Sequence, residues 1–254
     1  MKFYKKIIFG LLISLIAASA NVKAQGNRVE NLQDYDQKPY HFGFILSFNQ
    51  MNFSLKTNEN AMGIAYSNID TDKSYIVKER QDSLILNGIS NQPVFRFTVG
   101  IAASLKLNPY FDLRFVPSLA FGERKLNYSF SGLNPEDSLN FIDQQTISST
   151  HIDFPLYIKF KSERARNFRA YVLGGVKYTL DLDTNSNKYI KLKSNDLLCE
   201  AGCGFEFYFA YFKFGIELKM SYGFNNLLKP EDNIYVDGIE SLKSKLFQIS
   251  FTFE

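Results

Sequence analysis

Apolar side chains recur at every second position in eight segments of this 254-residue chain. Between positions 152 and 160, for example, Phe154, Leu156 and Ile158 alternate with Tyr157 and Lys159. Successive side chains of a strand point to opposite faces, so this period of two predicts β-strands. The segments are 40–55, 94–107, 110–128, 146–161, 167–181, 196–209, 211–225 and 245–254.

The lengths of the segments and of their connections reduce the number of possible architectures. A strand that crosses a bilayer at a tilt needs about 9–11 residues, and the segments have that length. Long connections at 56–93, 129–145, 182–195 and 226–244 alternate with short ones at 108–109, 162–166 and Ala210. This alternation is typical of outer-membrane barrels, whose turns are short on the periplasmic side and longer outside. We therefore predict an all-β, eight-stranded, antiparallel up-and-down transmembrane β-barrel with both termini in the periplasm.

The composition agrees with a strand-rich membrane protein. The chain has 25 Phe and 15 Tyr, and aromatic residues favour strands over helices. Beyond the first few dozen residues, no apolar run reaches the roughly 18 residues of a membrane-spanning helix. A helical bundle and a helical membrane protein are therefore both disfavoured.

The N-terminus has the pattern of a secretory signal peptide. Lys2, Lys5 and Lys6 precede an apolar run at 7–18, and small residues flank a cleavage site after Ala24. We expect a signal peptide at 1–24, a flexible periplasmic lead-in at 25–39 and an outer-membrane barrel at 40–254. Without the leader, 25 basic residues face 26 acidic ones, so the charge gives no support to nucleic-acid binding.

Periodicity leaves open which face of the strands lies inside. The spanning length of the segments, the continuity of their apolar face and the aromatic residues clustered at their ends favour an apolar face toward lipid. The opposite face of the strands is charged. That face carries many ionisable residues with glycines between them, too many for a simple solvated surface. We expect the apolar face to meet lipid and the charges to pair in a lumen without an open pore. A proton or ligand pathway is the alternative. The predicted network comprises Arg96, Asp112, Arg114, Asp153, Lys159, Arg169, Lys177, Glu200, Glu206, Lys213, Glu217 and Lys219.

Motifs for catalysis, metals or cofactors do not stand out. Cys199 and Cys203 lie four positions apart on one strand, about 13 Å, which is too far for a disulfide. His41 and His151 are isolated in the sequence, so we expect no metal site and no cofactor. Acids in the long connections keep an enzyme on the barrel rim conceivable. They are Asp70, Asp72, Asp232, Asp237 and Glu240.

The connection at 56–93 is the best candidate for contact with a partner protein, because it is more apolar than an idle loop needs to be. Long loops are where function tends to concentrate. Segments 74–79 and 83–86 could form a hairpin above the membrane. The candidate contact residues are Tyr66, Tyr75, Ile76, Ile85 and Leu86.

Several segments resemble the PorT family of Bacteroidota over nearly the full mature length. The resemblance is carried by His41-Phe42-Gly43-Phe44, by the run from Pro109 to Pro117 (PYFDLRFVP), by Phe121-Gly122-Glu123-Arg124 and by the run from Ile152 to Phe160 (IDFPLYIKF). It implies an outer-membrane barrel needed by the type IX secretion system. That system exports proteins with a C-terminal signal domain and supports gliding in some species. The family has no established catalytic residues to carry over.

Two other classes of protein remain open at this point. The first is a generic structural or adhesion barrel of the outer membrane without a link to secretion. The second is a soluble, lipocalin-like periplasmic carrier for an apolar ligand, which requires the charges outside and the apolar residues within. We expect outer-membrane lipid and other type IX proteins as partners, with no nucleic acid, no small-molecule substrate and no enzymatic activity.

Overall fold

The computed structural model describes residues 30–63, 65–66, 84–132, 140–183, 187, 189–231 and 233–254. The predicted signal peptide therefore lies outside the described residues, as do Asp70, Asp72, Tyr75, Ile76 and Asp232. Among the described residues, no helix is both long and apolar enough to cross a membrane.

The described chain forms eleven strands, which belong to one antiparallel sheet. They are β1 (Tyr40–Thr57), β2 (Ala65–Tyr66), β3 (Leu84–Gln92), β4 (Val94–Lys106), β5 (Phe111–Phe115), β6 (Ser118–Gly132), β7 (Asn140–Lys161), β8 (Phe168–Asp181), β9 (Asn195–Tyr208), β10 (Lys213–Gly223) and β11 (Ile239–Phe253). Among the described residues, helical structure is limited to 3-10 turns at Tyr35–Gln37 and Glu59–Ala61 and to one helical turn, α1 (Ile234–Asp237).

The sheet closes on itself, because β1 pairs with β11 on one side and with β4 on the other. Pro93 separates β3 from β4, and Pro117 lies between β5 and β6; proline has no N–H to give to a ladder, so it interrupts strands at such positions. When β3 and β4 are counted as one strand, and β5 and β6 as another, eight long strands of the described chain form the barrel. The short strand β2 is added beside β3. The predicted eight-stranded up-and-down barrel is thereby confirmed.

The two ends of the barrel differ. Short connections at 107–110, 162–167 and 209–212 lie at the end that also carries the start of β1 and the finish of β11, which we call the turn end. The long connections lie at the opposite end, the loop end.

The predicted orientation of the strands is confirmed. Phe42 is 70% exposed and Phe95 77%, whereas Arg114 and Glu217 are each 1% exposed. The other outward apolar residues form a continuous belt around the barrel, including Phe44, Phe48, Ile101, Phe121, Leu156, Ile158, Phe160, Val172, Val176, Phe205, Leu218 and Met220. Charges inside and aromatic residues outside are the reverse of a lipocalin-like carrier, so that alternative is wrong.

Above the belt, toward the loop end, the alternation inverts. In β6 the outward residues change from Leu119 and Phe121 to Glu123 and Lys125, while the inward ones become apolar at Leu126. A buried cluster fills this part of the barrel, and residues of the long loops and α1 pack into it. Its members include Phe53, Leu84, Leu86, Leu126, Tyr128, Phe130, Ile147, Ile190, Leu192, Leu227, Tyr235 and Leu242. The loop end is therefore closed by an ordinary hydrophobic core.

The strand segments above the belt at 84–92, 125–132 and 140–146, which we call the extension, pair with one another. They correct two sequence-based boundaries and one candidate residue. Residues 84–92, expected in a loop, form a strand paired with β6, and β7 begins at Asn140 instead of 146. Leu86 is fully buried in the cluster. The prediction that Leu86 contacts a partner protein is wrong, because its side chain faces the interior.

From Asn31 onward the predicted lead-in makes specific contacts with the barrel. The backbone N–H of Asn31 donates to Oδ1 of Asn167 at 2.9 Å, and the hydroxyl of Tyr35 donates to Glu254 at 3.0 Å. Lys106 donates to the backbone oxygen of Asp36 at 2.6 Å. Residues 31–39, which we call the plug, therefore fold across the turn end.

An arginine placed in the apolar belt tests the orientation. Val172→Arg should lower the free energy of unfolding in phospholipid vesicles by about 2–4 kcal/mol, the cost of an exposed cation near the bilayer midplane. Urea titration followed by tyrosine fluorescence measures the change. Asn140→Arg, at an exposed position of the extension, should leave stability nearly unchanged. Equal effects of the two variants would contradict the orientation.

Candidate functional site

The interior of the barrel is a nearly balanced set of buried charges. Within the described chain, nine basic side chains are buried, against eight acidic ones, and the buried carboxylate of Glu254 makes the acids nine. Isolated charges are too costly to bury, so such a set persists only when it is paired. All twelve residues of the predicted network lie in this interior.

The layer nearest the turn end is centred on Glu206 and Glu254. Lys213 contacts both carboxylates, at 2.9 Å and 2.5 Å respectively. Lys159 approaches Glu206 at 2.5 Å, and Arg114 approaches Glu254 at 3.1 Å. These residues come from four different strands and from the end of β11, so the ion pairs join elements that are distant in sequence. Lys161 and Asp112 form a further pair at 2.7 Å.

The middle layer is centred on Glu200. Its carboxylate accepts hydrogen bonds from the hydroxyls of Tyr157 and Ser221, both at 2.7 Å, and contacts Lys177 at 2.9 Å. Lys219 lies 3.9 Å from Glu200 and 3.2 Å from Glu217. Glu217 also pairs with Arg114 and accepts a hydrogen bond from Tyr171. The two carboxylates are therefore well satisfied without water.

Closest to the loop end, His151 joins a cluster of arginines and aspartates. Its Nε2 atom lies 3.1 Å from Asp181 and 2.9 Å from Arg124, and its Nδ1 atom lies 3.3 Å from Arg96. The interpretation of His151 as isolated is wrong, because the barrel brings β4, β6, β7 and β8 together around it. The carboxylate of Asp196 is buried nearby.

Inward-facing glycines make space for the long charged and aromatic side chains. A Cβ atom at Gly204 would stand 2.6 Å from the ring and hydroxyl of Tyr171, and one at Gly122 would overlap the side chain of Arg96. Both side chains would have to move if either glycine were replaced. The glycines therefore define where the network can fit.

The plug closes the turn end through Asp36. Arg169 holds the Asp36 carboxylate with two hydrogen bonds of 2.9 Å and 2.7 Å, the bidentate geometry favoured by guanidinium and carboxylate. Burial raises the pKa of Asp36, but the hydrogen bonds and charge of Arg169 outweigh it and hold this pKa below its ordinary value. Arg164 also approaches Asp36, at 3.5 Å, and stacks on the ring of Tyr208.

One cavity in the interior lies within the cluster around His151 and is small. This cavity, beside His151, Asp153, Lys177 and Asp196, has a volume of about 10 Å³, about what one water molecule requires. No group of three or more potential metal ligands occurs among the described residues. The dense ion pairs around this cavity are suited to rigid closure of the interior.

Other candidate residues are spread over the surface. Cys199 and Cys203 are free and exposed on the lipid-facing side of β9. Glu240 pairs with Lys56 at 2.6 Å, with both side chains more than half exposed. Ile85 is half-buried on the outer face of the extension, and Tyr66 pairs with Leu84 through the backbone. The roles of Tyr66 and Ile85 as partner contacts stay predictions.

Sequence reasoning missed eight titratable members of the interior. They are Asp36, Arg124, Asp143, His151, Lys161, Asp181, Asp196 and Glu254. Parity could have found those that lie on strands, such as Arg124, His151 and Asp181, since they continue the inward series of their strands. Asp36 gave no such signal, because it lies on a 3-10 turn outside any strand.

Comparison with known protein families supports the barrel assignment. The profile of the family described as "Outer membrane protein beta-barrel domain" matches residues 23–229. No curated protein matches the sequence. The outer membrane protein OprG from Pseudomonas aeruginosa is similar at 13% identity and a TM-score of 0.41, covering 85% of this chain and 97% of that one. The translocator domain of autotransporter NalP from Neisseria meningitidis is similar at 8% identity and a TM-score of 0.28, covering 100% and 98%.

Removing one member of the Glu200–Lys177 pair should strongly destabilise the barrel. Glu200→Gln and Lys177→Met should each lower the free energy of unfolding by about 3–5 kcal/mol, because each leaves a buried charge uncompensated. The double variant should lose less than the sum of the two, by about 0.5–3 kcal/mol. Urea titration in vesicles measures all three values.

The exposed Lys56–Glu240 pair provides the matched control. Lys56→Met should change stability by less than about 1 kcal/mol, because water screens an exposed pair. Strict additivity within the buried pair would show that Glu200 and Lys177 do not interact energetically.

Acid should loosen the plug. Because the pKa of Asp36 is lowered in the folded protein, its contribution is fully present above about pH 4, the ordinary aspartate range, and is lost as the pH falls further. A spin label on Gln33→Cys, in a background of Cys199→Ala and Cys203→Ala, should become mobile over that acidic range. In the Asp36→Asn variant, the same spin label should already be mobile at neutral pH. A label equally immobile with and without Asp36→Asn would contradict the role of this carboxylate.

Proposed function

The chain belongs to the outer membrane protein beta-barrel domain family, and from this premise we propose that it is a non-enzymatic component or assembly factor of the type IX secretion system. In this role it supports the export of cargo proteins with a C-terminal signal domain, and gliding motility in species that glide. The PorT-like segments described above, such as Phe111-Asp112-Leu113-Arg114-Phe115, support the specific system.

The closed interior is the observation that carries the mode of action. The plug covers the turn end, ion pairs cross the middle, and a hydrophobic core fills the loop end. A barrel of this kind has no passage wide enough for a polypeptide, so its contribution to export is made by contact with other proteins. Both termini are then periplasmic, and the long loops face the outside of the cell.

The outer face of the extension is the proposed contact surface. Ile142 is 61% exposed there, and Ile85 lies on the same outer face. The strand β6 lies between them, where Ser131 pairs with Ile85 and Ser129 pairs with Ile142. Two isoleucines on a face that is otherwise polar and above the lipid belt are suited to binding another protein. This arrangement supports Ile85 as a partner contact.

Deletion of the gene tests the assignment to secretion. Type IX cargo should remain inside the deletion strain and return to the medium when the wild-type gene is supplied on a plasmid. Immunoblots of the medium and of cell fractions measure the export. Normal export in the deletion strain would contradict the proposal and favour the generic structural or adhesion barrel.

Complementation with surface variants tests the contact surface separately. Ile85→Asp combined with Ile142→Asp should reduce export although the barrel reaches the outer membrane at normal levels, because the charges prevent apolar contact. Asn140→Asp, an exposed position on the same strand as Ile142, should restore export fully. Full export with the double variant would show that partners bind elsewhere.

A further inference from the structure

We propose that the turn end carries a binding site for the phosphate group of an anionic lipid headgroup, formed by Lys106, Lys161, Arg164 and Arg169. These four basic side chains line one cavity of about 220 Å³ between the plug and the turns at 107–110 and 162–167. One water molecule needs about 10–15 Å³ by the same measure, so the cavity has ample room for a phosphate group.

The charge of the cavity favours an anion. Its four basic residues face two acids, Asp36 and Glu163. Lys161 is already paired with Asp112 behind the wall. Arg169 also lies 4.0 Å from Glu206, but two buried lysines already pair with that carboxylate. One unit of positive charge therefore remains unmatched around the cavity. Lysine and arginine groups that converge on one space are the usual ligands of phosphate oxygens in proteins.

The plug shows that this cluster can hold an oxyanion. The carboxylate of Asp36 is bound by Arg169 in bidentate geometry and lies 3.5 Å from Arg164. Its low pKa is caused in part by Lys161 and Arg164 as well, so these cations act on the same negative charge. The Nε–H group of Arg169 is buried and has no hydrogen-bond partner among the residues that the structure describes. A second oxyanion in the adjoining cavity would meet the same basic groups.

The position of the cavity selects a lipid as the source of the phosphate. Tyr110, which lines the cavity, is 44% exposed, and the neighbouring outward residues Phe111, Phe160 and Phe168 are 38%, 46% and 37% exposed. These aromatic rings mark the edge of the lipid belt, where headgroups lie. A headgroup in the cavity would leave its acyl chains on the apolar surface of β5, β7 and β8.

The binding of short-chain lipids to the detergent-solubilised full barrel tests the proposal. Dihexanoyl phosphatidylglycerol should bind the wild-type protein and shift nuclear magnetic resonance signals near Tyr110. Lys106→Gln and Arg164→Gln should each weaken this binding about tenfold, the effect of one lost charge-assisted hydrogen bond. Lys191→Gln, whose partner Glu231 lies at the loop end, should bind as wild type.

Two further ligands distinguish an anionic lipid headgroup from free phosphate and from an uncharged headgroup. Dihexanoyl phosphatidylcholine, which has no net charge, and inorganic phosphate should both bind at least about tenfold more weakly than the anionic lipid. Inorganic phosphate binding as tightly as the lipid would overturn the headgroup assignment, and equal binding of phosphatidylcholine would overturn the requirement for an anion.

The mobility of the plug serves as a separate readout, because Lys106 and Arg164 also hold residues 31–39. The spin label on Gln33→Cys identifies a variant whose plug has loosened. Binding of phosphatidylglycerol that is unchanged in Lys106→Gln and Arg164→Gln, with the plug in place, would overturn the proposal.

Discussion

The structure depends on one electrostatic constraint: every charge that the barrel removes from water must meet an opposite charge or a hydrogen-bond donor inside. An eight-stranded barrel has an interior that side chains can just fill. Within the described chain, nine buried basic residues balance nine buried carboxylates in number. The ion pairs of Glu200, Glu206 and Glu217 meet the constraint directly, whereas the buried carboxylate of Asp196, which has no hydrogen-bond partner there, is an exception. Because their partners lie on different strands, the ion pairs fix the register of the barrel and also close it.

The same period of two serves opposite purposes along the strands. In the belt the outward residues are apolar and the inward ones are charged, as lipid requires. Beyond Phe121 and Gly122 the outward residues become polar and the inward ones apolar, as in a protein surrounded by water. The position of this change in the sequence marks the edge of the membrane-spanning region. Above that edge, residues of the long loops pack into the hydrophobic core.

Much of the barrel could be predicted from the sequence, because alternation and loop length are local properties. The eight strands and the orientation of residues such as Arg114 follow from them. The plug could not be predicted, because Asp36 is held by Arg169, 133 positions away. His151 looked isolated for the same reason: its partners Arg96, Arg124 and Asp181 lie on other strands. The sequence predicts a loop at 84–92, because no local sequence feature shows that Leu86 faces a hydrophobic core.

The reactivity of single cysteines toward maleimides tests most directly that the lumen is sealed and the aromatic face meets lipid. Ser250→Cys replaces a fully buried residue of similar size, and Phe48→Cys an outward residue that is 55% exposed. In vesicles, with Cys199 and Cys203 replaced by alanine, we expect Ser250→Cys to react with no reagent until urea unfolds the barrel. Phe48→Cys should react with a lipid-soluble maleimide alone. Labelling of either position by a water-soluble maleimide in the folded protein would contradict the account.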